Sequence, residues 1–279
     1  MATIAPVQPV LRLQPSARWR ALSLRELWEF RELLVMLVAR DLRVRYKQTA
    51  LGASWAILQP LASMAIFSIF FGRLVKVPSD NVPYPIFALA GLVPWMYFSN
   101  SLGQSSNSVV GCVSLITKVY FPRLILPLSS VISGVADLLV GFALLLALTL
   151  YYGIVPGVRL LAVPGFVLLA VTACLGVGLW LSAVNVRYRD VRYITPFLIQ
   201  FWMYATPVVY PSSLLKEPWR TLFALNPMVG VVEGFRWSIL NTDTFPWAMV
   251  ACSAAVAVSL LASGLVCFRA MERFFADVI

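Results

Sequence analysis

The sequence predicts an all-α polytopic membrane protein: six transmembrane helices, both termini in the cytoplasm, an amphipathic interfacial helix ahead of the first span, and short re-entrant outer helices between spans five and six. Three observations carry this. Of 279 residues, 60% are hydrophobic and 12% charged, against roughly 25% charged in soluble domains, which leaves too few polar side chains to cover a water-facing globule. The apolar residues gather into long charge-free stretches at 48–72, 81–117, 160–186, 193–215 and 244–268, with a sixth at 124–158 broken only by Asp137. Lysine and arginine, finally, fall mostly on one side of those stretches. The chain divides into a flexible tail (1–22), the interfacial helix (23–48) and a six-span transmembrane domain (49–279).

Each stretch supplies the roughly 20 apolar residues a helix needs to cross the hydrocarbon core. None shows the alternation of a barrel strand. Spans are therefore expected near 51–72, 84–103, 130–152, 162–184, 194–211 and 246–267. With the N-terminus inside, the cytoplasmic segments hold sixteen Lys and Arg and the outer segments six, which is the bias of cytoplasmic loops. The net charge of +10 is thus spent at a membrane face, and no nucleic-acid partner is expected. The first stretch of spanning length begins only after about 48 residues, so no cleavable signal peptide is expected.

Residues 23–47 open with Ser23 and Glu26, a capping box that starts a helix. Leu27, Phe30, Leu34, Leu37, Val38 and Leu42 share one face and Arg31, Glu32, Arg40, Arg43 and Lys47 mostly the other, the pattern of a helix lying along a leaflet. It serves either as an anchor or as a moving element whose guanidinium groups meet a pyrophosphate headgroup. In 104–129, Pro122 and Pro127 forbid one straight helix. A short helix there exposes Tyr120 and Phe121 between Lys118 and Arg123, for a partner's groove or as an interfacial belt.

Residues 212–243 are too polar to span and too apolar for a free loop; Glu233 and Arg236 stand at pairing distance i,i+3. They cap the outer end of a pore or pack against its rim. Asp137 is the one charge deep in a span and must face protein or water. It is a proton-coupling group or, more simply, a structural hydrogen-bonding one. Trp55, Phe67, Phe70 and Phe71 in the first span, and Phe197, Phe201, Trp202 and Tyr204 in the fifth, form either lipid-facing belts or a ring-lined surface suited to sugars.

With no histidine, imidazole catalysis and histidine metal sites are excluded. The four cysteines have no metal spacing and read as small apolar residues. There is no phosphate-cradling G-x-x-x-x-G-K-[ST], no G-x-S-x-G and no H-E-x-x-H. The chain is not expected to be an enzyme, to hold a metal or to bind ATP itself. Active transport then needs an ion gradient or a separate ATPase.

Arg40-Asp41-Leu42-Arg43-Val44-Arg45-Tyr46-Lys47 with Leu51-Gly52, Trp55 and Leu58-Gln59-Pro60, then Tyr120-Phe121-Pro122-Arg123 with Leu126-Pro127, Tyr188-Arg189-Asp190-Val191, Thr206-Pro207-Val208-Val209-Tyr210-Pro211 and Asn226-Pro227-Met228, resemble in order the membrane subunits of bacterial ABC-2-type polysaccharide exporters, which move O-antigen, capsular polysaccharide or teichoic acid. Thr49 stands where a serine is expected. The resemblance covers about 30–270. It implies a multi-pass protein of the bacterial inner membrane, working as a homodimer with two copies of a P-loop ATPase that binds ATP and Mg. It implies a coupling helix at about 112–123, with Lys118, Tyr120, Phe121, Pro122 and Arg123 toward the ATPase. Arg40, Asp41, Arg43, Arg45, Tyr46 and Lys47 would form the cytoplasmic gate. Their cations would sense the headgroup of a polyprenyl-pyrophosphate-linked glycan. Trp55, Phe67, Phe70, Phe197, Phe201, Trp202 and Tyr204 would line the channel, and Tyr210, Asn226, Glu233 and Arg236 would shape its exit. The alternatives are an ABC-2 permease for a drug or another lipid, a gradient-driven carrier using Asp137, and a membrane scaffold.

Overall fold

The structure, a computed structural model, describes residues 24–47, 52–214, 219–241, 245–272 and Phe275. The tail 1–22 and the Ser23–Glu26 capping box lie outside the residues whose side chains are described. Among the described residues every regular element is helical. The interfacial helix is two pieces, α1 (Leu24–Glu29) and α2 (Arg31–Lys47), with a turn at Phe30, where a single helix was expected. The expected apolar face holds, with Leu37 buried and Leu27, Phe30, Leu33 and Leu34 packed against one end of the bundle. Trp28, Val35, Met36 and Val44 stay exposed on the remaining surface.

The bundle is built around α4 (Tyr84–Asn107). Its N-terminus is set by Pro83 and Pro85, and most of its side chains are buried. Around it pack α3 (Trp55–Phe67, continued by a π-helical stretch Ser68–Leu74), α6 (Ile125–Tyr151), α7 (Val163–Arg187), α8 (Val191–Tyr204) and α10 (Pro227–Leu240). The last helix, α11 (Trp247–Glu272), lies along α7. Glycines set that contact: a Cβ on Gly176 would sit 2.7 Å from the backbone nitrogen of Leu261. Small residues permit such close backbone approach, and in lipid that packing replaces the missing hydrophobic drive between helices. Short helices α5 (Val113–Lys118) and α9 (Trp219–Phe223) complete the set.

Among the described residues four helical segments, Trp55–Leu74, Ile125–Tyr151, Val158–Arg187 and Trp247–Glu272, are long and apolar enough to cross a membrane by length and composition. The other two expected spans differ for physical reasons. α4 has the length, but it carries prolines and ends in a run of Ser, Asn and Gln, and most of it is enclosed by protein. α8 stops at Tyr204, short of the expected 211. Pro207 disfavours helix in Thr206 before it, and residues 206–209 run on as buried irregular chain.

Two cores result. The larger joins α4, α6, α7 and α10 through Phe98, Leu102, Leu138, Ala173 and Phe235. The smaller sits at one end, where α2, the loop before α6 and the ends of α7 and α11 meet around Leu37, Phe121, Ile125, Val186, Phe268 and Phe275.

Candidate functional site

Irregular backbone inside an apolar bundle needs every carbonyl paired. The break after α8 shows how the sequence meets that demand. Tyr210 Oη donates to the Tyr204 carbonyl at 2.9 Å, and Asn226 Nδ2 donates to the Ala205 carbonyl at 3.1 Å and to Thr206 Oγ1 at 2.8 Å. Arg236 donates to the carbonyls of Val208 at 2.6 Å and Tyr210 at 3.4 Å, and Tyr84 Oη donates to Val209 at 2.7 Å. Gly91 makes room: a Cβ there would lie 2.6 Å from the Val208 oxygen. Asn226 also caps α10, accepting from the Met228 N–H at 3.0 Å and from Trp202 Nε1 at 2.9 Å. Arg236, 2% exposed, pairs with Glu233 at 3.2 Å and lies 3.7 Å over the Phe87 ring. The expected i,i+3 pair thus forms. It sits inside a helix buried along nearly its whole length, so α10 packs into the bundle and is no free cap.

The aromatic residues separate into two groups. Phe197 and Phe201, whose rings stack at 6.4 Å, and Tyr204 stand on the open face of α8, and Trp55 and Phe70 are exposed on α3. Trp202 faces inward, edge-on to Phe98, and Phe67 packs on Phe71 and the larger core. Of α3, only Pro60 is buried. These two helices therefore present the least covered apolar surfaces of the bundle.

At the smaller core, Tyr120 is 80% exposed and Phe121 4%. The expected exposed pair is a single exposed ring. Phe121 is the plug that seats the loop, held among Leu37, Leu124 and Phe268. Lys118 is exposed and Pro122 half-buried. Arg123 is tied down: its guanidinium donates to the Glu272 carbonyl, its N–H meets Glu272 Oε1 at 3.3 Å, and it lies 5.8 Å over Phe275.

On α2, Arg43 and Lys47 are exposed, whereas Arg40 pairs with Asp41 at 2.8 Å. Partial burial works against the Arg40 charge, but the bond and charge of Asp41, with Cys112, outweigh it and hold the guanidinium above its ordinary value. Arg45 and Tyr46 reach into the bundle and both bond Asp137, and Arg45 also bonds Gln104 at 2.6 Å. Burial draws Arg45 below its ordinary value, with Asp41 opposing. Asp137 is thus a structural partner of the interfacial helix. Sequence reasoning used Gln59 only as part of a motif and passed over Asn100, Ser101 and Gln104; all four line a cleft beside this pair. Their signal was available: amides and hydroxyls set in charge-free stretches.

No group of three or more His, Cys, Asp and Glu side chains able to hold a metal occurs among the described residues. Of the free cysteines, Cys174 alone is fully buried and the other three are half-buried.

Long apolar helices, a break stitched by buried polar side chains, and two helices left open define a multi-pass membrane protein. The profile of the ABC-2 type transporter family matches residues 32–240. The chain is 35% identical to the O-antigen export system permease protein RfbA of Myxococcus xanthus, over 91% of this chain and 98% of that protein. It is 27% identical to RfbA of Klebsiella pneumoniae (89% and 95% covered) and 26% identical to the polysialic acid transport protein KpsM of Escherichia coli (85% and 92%). The chain belongs to the ABC-2 type transporter family and is a multi-pass protein of the inner membrane.

Proposed function

We propose that this chain is the membrane subunit of an exporter that passes a lipid-linked, O-antigen-like polysaccharide out of the cytoplasm through six spans per copy. Two copies pair across the open faces of α3 and α8, and a separate ATPase, holding ATP and Mg, works on the end marked by Tyr120. The observation that carries this reading is the exposed ring stripe Phe197, Phe201 and Tyr204 on α8 beside the nearly uncovered α3. In a monomer so apolar a face meets lipid. In a pair it lines a corridor where flat rings slide past sugar units without trapping them, as weak, repeated contacts suit conduction. The names of the relatives supply the cargo class. Arg43 and Lys47, exposed at the end of α2, are the cations free to meet a pyrophosphate, while Arg45 is spent on Asp137.

That pairing also argues against a gradient-driven carrier, which needs a carboxylate free to take up and release its ion. Deleting the chain is expected to remove surface polysaccharide and leave lipid-linked glycan inside the cell, and the intact chain is expected to restore export. Unchanged surface polysaccharide in the deletion overturns the reading.

A further inference from the structure

Between α2, α3, α4 and α6 lies a cleft of about 310 Å³. It runs deep. Asp137, on its wall, is about 18 Å along α6 from the first residue of that helix. Gln59 sits within a segment apolar enough to span, and Asn100 lies seven residues before the end of α4. Both residues are exposed and line the cleft, and their amides have no hydrogen-bond partner among the described residues. At its back the Ser101 hydroxyl, 1% exposed, is also without a partner.

An amide offers two donors and an acceptor, and turning it to acyl chains costs several kcal/mol. These groups therefore face water, another chain or a ligand. Charge narrows the choice. Among the described residues the only charged ones lining the cleft are Arg45 and Asp137, which neutralise each other, and Gln104 takes a further guanidinium nitrogen. An anion finds no free cation here and a cation no free carboxylate, while an apolar guest strands the amides. Trp55 adds a half-exposed indole at the rim. Unspent amides, a hydroxyl and a flat ring in a neutral cavity of this size suit a ring that is polar at its edge and apolar on its face.

We infer that this cleft is a binding site for one neutral sugar unit, held by Asn100 and Gln59 over Trp55. The inference rests on the proposed function, because the sugar belongs to the exported glycan. It places a site within each copy, apart from the ring stripe of α8.

The test introduces Asn100→Cys and, separately, Gln59→Cys into the full-length chain in its own cell. Inside-out membrane vesicles are treated with a membrane-impermeant cationic methanethiosulfonate, and labelling of each position is read by peptide mass spectrometry. In vesicles from cells that make no glycan both positions should react. In vesicles from glycan-producing cells the reaction should slow roughly tenfold, the protection given by a ligand at about ten times its dissociation constant. Absence of reaction in both, showing a face against lipid or a second copy, overturns the inference, as do equal rates. Protection that persists without glycan and vanishes when native lipid is exchanged assigns the cleft to a polyol headgroup and also overturns it. Should the cysteine variants not reach the membrane, Asn100→Leu combined with Gln59→Leu is expected to cut export about tenfold at equal protein level; full export in that variant overturns the inference. A wild-type chain that exports glycan while its cysteine variants go unprotected separates failure here from failure of the proposed function.

Discussion

Replacing Arg236 by methionine isolates what the buried guanidinium does. Methionine keeps the unbranched stem as far as the place of Nε, lacks the guanidinium over Phe87 and donates nothing. The Val208 carbonyl loses a 2.6 Å bond and the Tyr210 carbonyl a weaker one at 3.4 Å. An unpaired buried carbonyl costs about 1–3 kcal/mol, and the long Tyr210 bond contributes little of that. Glu233, with 15% of its side chain exposed, loses its counter-charge, and breaking such a pair costs about 3–5 kcal/mol. These terms overlap because one cation serves all three acceptors, so the net loss is about 3–5 kcal/mol, not their sum. Equilibrium unfolding by dodecyl sulfate in mixed micelles, followed by tryptophan fluorescence, measures it. Adding Glu233→Gln removes the stranded charge and should recover about 1–2 kcal/mol, leaving the carbonyl share lost. An Arg236→Met chain within about 1 kcal/mol of the wild type, or a double variant no better than the single, refutes the stitching role given to Arg236.

Three further outcomes are expected. Tyr120→Asp should abolish co-purification with the ATPase at normal protein level, whereas Phe121→Ala should cost about 3–5 kcal/mol of stability by emptying its socket; retained co-purification in the Tyr120 variant removes that ring from the docking surface. Phe197→Ala with Phe201→Ala should lower glycan export while stability stays within about 0.5 kcal/mol; Trp202→Ala should instead destabilise, and full export in the first variant counts against the corridor. Arg45→Asp and Asp137→Arg should each speed amide exchange along α2, read by mass spectrometry, and the charge-exchanged pair should restore slow exchange; if the exchanged pair stays as fast as the singles, the ion pair does not dock α2.

Much of the fold was legible because lipid imposes few solutions: a long charge-free stretch is a helix, and the stretches at 124–158 and 244–268 became α6 and α11 as read. The break after α8 was not. Thr206-Pro207 announced a helix end, but only three-dimensional packing reveals that Arg236 and Asn226, some 20 to 30 residues on, supply the missing donors. Phe121 was misjudged because its neighbours Lys118, Tyr120 and Arg123 are polar or amphipathic, while the apolar socket around it is assembled from α2 and α11, distant in sequence. The inner and outer rings of α8 look alike in sequence; Trp202 differs from Phe201 because its indole N–H finds Asn226.

The loop that carries Tyr120 is anchored at both sides of a single seat. Phe121 is wedged under α2, and Arg123 clasps the last turn of α11. Close-packed interiors transmit displacement and do not absorb it. A push on the protruding phenol ring therefore arrives at the interfacial helix, the start of α6 and the tail of the final helix as one stroke. The sparsely covered α3 and α8 supply none of the side chains of that seat, so the stroke passes them by.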